Sequence, residues 1–152
     1  MRDNRSVPPV TVVPVLSYAD VRAAVAWLTA AFGFTERTRI GESHRAQLSI
    51  GADGAMIAAE RPDGQPPPAT DATRDLVRVR VEDVDAQFER ARAHGARVLE
   101  PPVDRPYGER DCTVLDLDGH RWQFAESVRD VAPEEYGCQT VAPWPVRSPG
   151  PG

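Results

Sequence analysis

The stretch Leu76 to Gly95, LVRVRVEDVDAQFERARAHG, decides the fold because its grammar occurs twice. It opens with an alternating run that puts Val77, Val79 and Val81 on one face and Leu76, Arg78 and Arg80 on the other, the period of a half-buried strand. Asp83 stands where a helix N-cap belongs, Val84, Phe88 and Ala91 follow at helical spacing, and Gly95 ends the run. The earlier stretch Val13 to Gly33, VPVLSYADVRAAVAWLTAAFG, reads the same way. Asp83 lies 63 residues after Asp20, and the same offset pairs Val13 with Leu76, Leu16 with Val79 and Val21 with Val84. A repeat of this length predicts one βα-led module used twice, with a site between the copies.

Outward from the repeat, the chain divides into an N-terminal arm (1–9), a first module (10–60), a Pro-rich connector (61–74), a second module (75–128) and a Pro-rich tail (129–152). The first module begins with a strand from Val10 to Tyr18, with Pro14 placing it at an edge or a bulge. After its helix the chain returns to strand, and in His44 to Ile50 Arg45, Gln47 and Ser49 share one face while Ala46, Leu48 and Ile50 share the other. Gly51 to Gly54 makes a turn, and Ala55 to Glu60 is the returning strand. In the second module a short strand, Arg97 to Leu99, meets Pro101-Pro102. A hairpin then runs from Arg110 to Leu117 and back through Arg121 to Ala125, turning at Asp118-Gly119. Trp27, Trp122 and Phe124 are assigned to the core. The tail from Pro133 has no core pattern and is expected to lie across a partner or to be disordered.

The formal charge of −5 and pI near 5.2 argue against a nucleic-acid binder, which needs a basic face for phosphates. All 18 basic residues are Arg, which excludes a Schiff-base lysine and a Walker-type phosphate loop. The Arg and Ala bias suits a GC-rich bacterial genome. No apolar run approaches a membrane span and the start has no signal-peptide core, so a cytoplasmic protein without a membrane partner is expected. Two unpaired cysteines, Cys112 and Cys138, support neither a disulfide framework nor a zinc ribbon.

The helix phrase ending AFGF (Ala31 to Phe34) and the hairpin phrase DLDGHRWQF (Asp116 to Phe124) resemble the vicinal oxygen chelate superfamily, the glyoxalase, bleomycin-resistance and extradiol-dioxygenase group. The likeness runs from about Val10 to Glu126. It implies an α+β fold of paired βαβββ modules, a curled mixed sheet around a concave pocket, and a homodimer. In metal-using members four side chains enter the pocket, and by alignment they fall here on Val13, Glu60, Leu76 and Gln123. Two aliphatic residues and an amide leave one good donor, where a tight transition-metal site needs about three. No metal and no cofactor are therefore expected.

The resemblance, with the face assignments, nominates Val13, Gln47, Met56, Glu60, Leu76, Arg78, Tyr107 and Gln123 as ligand-binding residues. Arg78 is expected to grip a carboxylate, a phenolate or a planar ring, and Tyr107, beside Gly108, to rim the pocket. The function expected is metal-free sequestration of a small antibiotic or secondary metabolite, as in the bleomycin-resistance branch. The alternative is a cofactor-free or metal-dependent lyase, isomerase or dioxygenase with Glu60 as acid/base or ligand. A third is a partner-binding module working through the tail.

Overall fold

Each half opens with a strand and a helix that an Asp N-cap starts. In the computed structural model, which describes residues 2–67 and 75–145, strand β1 (Val15–Tyr18) leads to Asp20, whose carboxylate accepts from Ala23 N at 3.0 Å and starts helix α1 (Val21–Phe32). Gly33, at φ 79°, closes α1 in the left-handed region, where a side chain would be strained. The second half repeats this with β5 (Val77–Arg80), Asp83 accepting from Ala86 N at 3.0 Å, and α2 (Val84–Ala93). Residues 68–74 of the expected connector, 146–152 of the tail and Met1 lie outside the described residues.

After each helix come three strands: β2 (Thr35–Ile40), β3 (Arg45–Ile50) and β4 (Gly54–Glu60), then β6 (Arg97–Asp104), β7 (Glu109–Leu115) and β8 (Arg121–Ser127). They form two four-stranded sheets, ordered β1-β4-β3-β2 and β5-β8-β7-β6. In each, the first strand pairs parallel with the last and the other pairs are antiparallel. This is the α+β fold of paired βαβββ modules, with sheets that do not close on each other.

Both sheets turn their apolar faces to the helices and share one core. Leu28, Leu48, Met56 and Ala58 come from the first module, and Val84, Phe88, Val114, Trp122 and Phe124 from the second. Phe32 joins the halves, its ring edge-on to Trp122 at 5.5 Å and to Phe124 at 4.9 Å. A polar clasp seals the seam. Buried Asp116 accepts from Tyr18 Oη at 2.7 Å and Trp122 Nε1 at 3.1 Å, and Asp118 accepts from Ala19 N at 2.7 Å and Arg61 Nη2 at 3.0 Å. Burial, and then the charge of Asp116, push the Tyr18 phenol far above its ordinary pKa, so it stays a donor.

Three elements differ from the sequence reading. β1 begins at Val15, not Val10. β6 runs through Pro101-Pro102 to Asp104, because it is an edge strand and its register shifts between Glu100 and Val103, so the missing N–H groups break no ladder. The proximal tail packs on its own chain, where residues Pro133–Tyr136 form a 3-10 turn.

Candidate binding cleft

The alternation that sends Val77 and Val79 into the core sends Arg78 to the outer face of the second sheet. Register places Gln123 of β8 beside it, Thr113 of β7 beside Gln123, and Asp111 beside Ala125. Asp111 is 0% exposed, and a carboxylate so buried must be paired. It accepts from Arg105 Nε at 3.0 Å, Tyr107 Oη at 3.1 Å and Arg78 Nη1 at 3.3 Å. Arg78 also pairs with Glu109 through Nη2 at 2.8 Å and donates to Gln123 Oε1, while Arg105 reaches Glu100. Burial opposes the charge of Arg78, but the bonds from Glu109 and Asp111 prevail and hold its pKa above the ordinary value. Burial, and then the bond to Asp111, raise that of Tyr107.

After β8 the chain folds back over this face. The Gly108 carbonyl accepts from Val128 N at 2.9 Å and Arg129 N at 3.2 Å. Only glycine fits there: φ is +89°, and a Cβ would stand 2.4 Å from the Arg129 carbonyl oxygen. The turn then sets the Tyr136 ring edge-on to Tyr107 at 5.1 Å. Between lies a shallow cleft, open to solvent, of about 500 Å³, with Arg78, Tyr107 and Glu109 on the sheet side and Val131, Ala132, Pro133, Tyr136 and Cys138 on the tail side. The floor is charged and the opposite wall largely apolar.

Of the nominated residues, the structure brings Arg78, Tyr107 and Gln123 together. Leu76 immediately precedes β5 and is 39% exposed, outside the cleft lining. Val13 precedes β1, and Gln47 lies on the outer face of the first sheet, where its amide donates to Ser6 O of the N-terminal arm at 3.0 Å. The outer-face groove at Gln47, Arg45 and Ile57 holds only about 30 Å³. Met56 is a correction: it is fully buried in the core, because β4 alternates Met56 and Ala58 inward with Ile57 and Ala59 outward.

Glu60 is displaced for a related reason. It pairs with core-facing Tyr18 at the end of β4, with its side chain 55% exposed and 3.7 Å from His44 Nδ1. Arg78 pairs with Gln123, and the equivalent Val15 pairs with Ile57, so Ile57 and not Glu60 is the counterpart of Gln123. Glu109, Asp111 and Arg105 were missed. Asp111 was legible as an outer-face residue from its alternation with Cys112 and Val114, but its three donors come from β5 and the loop before β7.

The superfamily's metal-using members require a donor set that these residues do not supply. Val13, Leu76 and Ile57 have no lone pair to offer, and Gln123 Oε1 already accepts from Arg78. Among the described residues no three of His, Cys, Asp and Glu are placed to hold an ion.

Paired βαβββ modules around a shared helical layer, with chemistry on the outer strand faces, define a class of fold. Residues 11–124 match the Glyoxalase/Bleomycin resistance protein/Dioxygenase superfamily, and the chain belongs to it. It is similar in structure to TioX from Micromonospora sp. ML1, with a TM-score of 0.63 and 37% identity, covering 76% of this chain and 96% of that one. A glyoxalase/bleomycin resistance protein/dioxygenase from Nocardioides has a TM-score of 0.62 at 21% identity, covering 84% and 89%. An uncharacterized protein of Mycobacterium bovis is 30% identical over 131 residues, covering 80% of this chain and 86% of its own length.

Proposed function

We propose that the chain is a metal-free binding protein of the bleomycin-resistance-like branch, holding a small organic molecule, an antibiotic or secondary metabolite, in the cleft between the second sheet and the C-terminal segment. The observation that carries this reading is the cleft itself: about 500 Å³ lies within the range of small-molecule sites, and a few fixed polar groups face an apolar wall. Sequestration needs shape and polarity and no reacting group. The competing reading, catalysis by Glu60, gains nothing from the geometry, since Glu60 belongs to the other sheet.

The proposal extends to a cytoplasmic homodimer. The outer face of the first sheet carries exposed Val15 and Ile40, at 53% and 54%, apolar surface that a second copy would cover. Nucleic acid and membrane are not partners in this reading. Among the described residues no helix is long and apolar enough to cross a membrane.

A thermal-shift screen of planar organic molecules, run in EDTA, tests the function. A bound molecule at 100 times its Kd adds about 2.7 kcal/mol of stability, a shift of several degrees. The expected result is stabilisation without metal that Tyr107→Ala removes. Stabilisation only after loading with Zn, Ni, Mn or Fe(II), lost in Glu60→Ala, would overturn the reading in favour of a metalloenzyme.

A further inference from the structure

We infer that the cleft selects organic cations: a ligand bearing a substituted ammonium group, seated at the Tyr107 and Tyr136 rings with its charge against Glu109. The inference rests on the reading of the cleft as a binding site and names the class of molecule it takes.

The sequence offers Arg78 to an anion, but the fold uses that guanidinium itself. Asp111, Glu109 and Gln123 all accept from it. Arg105 is likewise held by Asp111 and Glu100. Two guanidiniums against three carboxylates leave this hydrogen-bonded cluster one negative charge in excess. Glu109 is the carboxylate that reaches the cleft, with its side chain 22% exposed where Asp111 has none. Arg80 and Arg129, held at Ser127 Oγ and the Pro106 carbonyl, keep their charge but do not line the cleft.

An incoming carboxylate would compete with Asp111 and Glu109, which already accept from the Arg78 guanidinium. An incoming ammonium meets the Glu109 carboxylate and two rings, beside an Arg78 guanidinium that Glu109 and Asp111 already pair. Tyr107 and Tyr136 both line the cleft, their rings at 64° with centroids 5.1 Å apart, and the negative face of an aromatic ring attracts a cation. Val131, Ala132 and Pro133 supply the surface for an apolar body attached to the charge.

The test is calorimetric titration of the full-length chain with three probes of matched shape: phenethyltrimethylammonium, its neutral tert-butyl isostere and 3-phenylpropionate. The cation should bind about tenfold more tightly than either of the others. Glu109→Gln should remove most of that preference, with a far-ultraviolet circular dichroism spectrum matching wild type as the check that the variant is folded. Tyr136→Leu, in an exposed turn, should weaken the cation more than the neutral probe and carries the test alone if the Glu109 variant misfolds. Tighter binding of phenylpropionate would overturn the cation inference and leave the binding cleft standing. A cation preference indifferent to both substitutions would overturn the inference by placing the site elsewhere. No binding of any probe would overturn both readings.

Discussion

Asp111 organises the outer face of the second sheet, since Arg78, Arg105 and Tyr107 all donate to one buried carboxylate. Breaking a buried ion pair from one side leaves the partners' charges uncompensated. Asp111→Ala should therefore destabilise the chain by about 3 kcal/mol, read as a lower urea midpoint, and should separate Tyr107 from its place at the cleft. The two cysteines divide by burial. Burial pushes the Cys112 thiol up to about 11, whereas Cys138 is exposed. Ellman's reagent at pH 8 should titrate one thiol per native chain and two in denaturant. Two fast thiols in the native chain would show that the second sheet does not pack as described. Arg78 was legible at this scale because alternation alone sets its face. Its engagement by Glu109 and Asp111 was not, because a side chain's partners depend on which strands become neighbours.

The elements were the most legible scale, because caps and periodicity act locally. Asp20 and Asp83 cap their helices with the same 3.0 Å bond, so Asp20→Ala and Asp83→Ala should each destabilise by about 1 kcal/mol, measured by thermal denaturation. Glu36 ties β2 to α1 through Arg22 at 2.7 Å and also pairs with Arg39 at 2.6 Å. Burial alone would raise its pKa, but the bonds from Arg22 and Arg39 prevail and hold the carboxyl below the ordinary value of 4.5. A depressed folded pKa gives stability that is present above the ordinary value and lost as pH falls through the folded one. The Tm difference between wild type and Glu36→Gln should thus be full at pH 7 and shrink below about pH 4; a difference constant with pH would contradict the pairing. The strand ends were less legible. The 63-residue offset holds through the first strand and helix of each module, but Ile57 and Gln123 are 66 apart, so carrying the first offset forward selected Glu60. Hydrogen-bond register sets the correspondence, and unequal loops hide it from counting.

In the whole molecule, two modules share one core through Phe32 and the Asp116 clasp, and the C-terminal segment folds over the outer face of the second sheet. The repeat made the two-module fold readable. The cleft was not, because its far wall is a tail segment without any core period, held in place by Gly108 and Tyr136. If a second copy covers the first sheet, Ile40→Asp should convert a dimer to a monomer in light scattering without lowering Tm by more than a few degrees. The measurement that bears most directly on the central claim is an assigned proton–nitrogen correlation spectrum of the full-length chain in EDTA, titrated with a molecule from the thermal-shift screen. The account predicts shifts at Arg78, Tyr107, Glu109 and residues 131–138, with Gln47 and Glu60 unmoved. Shifts centred on Gln47 and Glu60, or binding only after metal is restored, would contradict it.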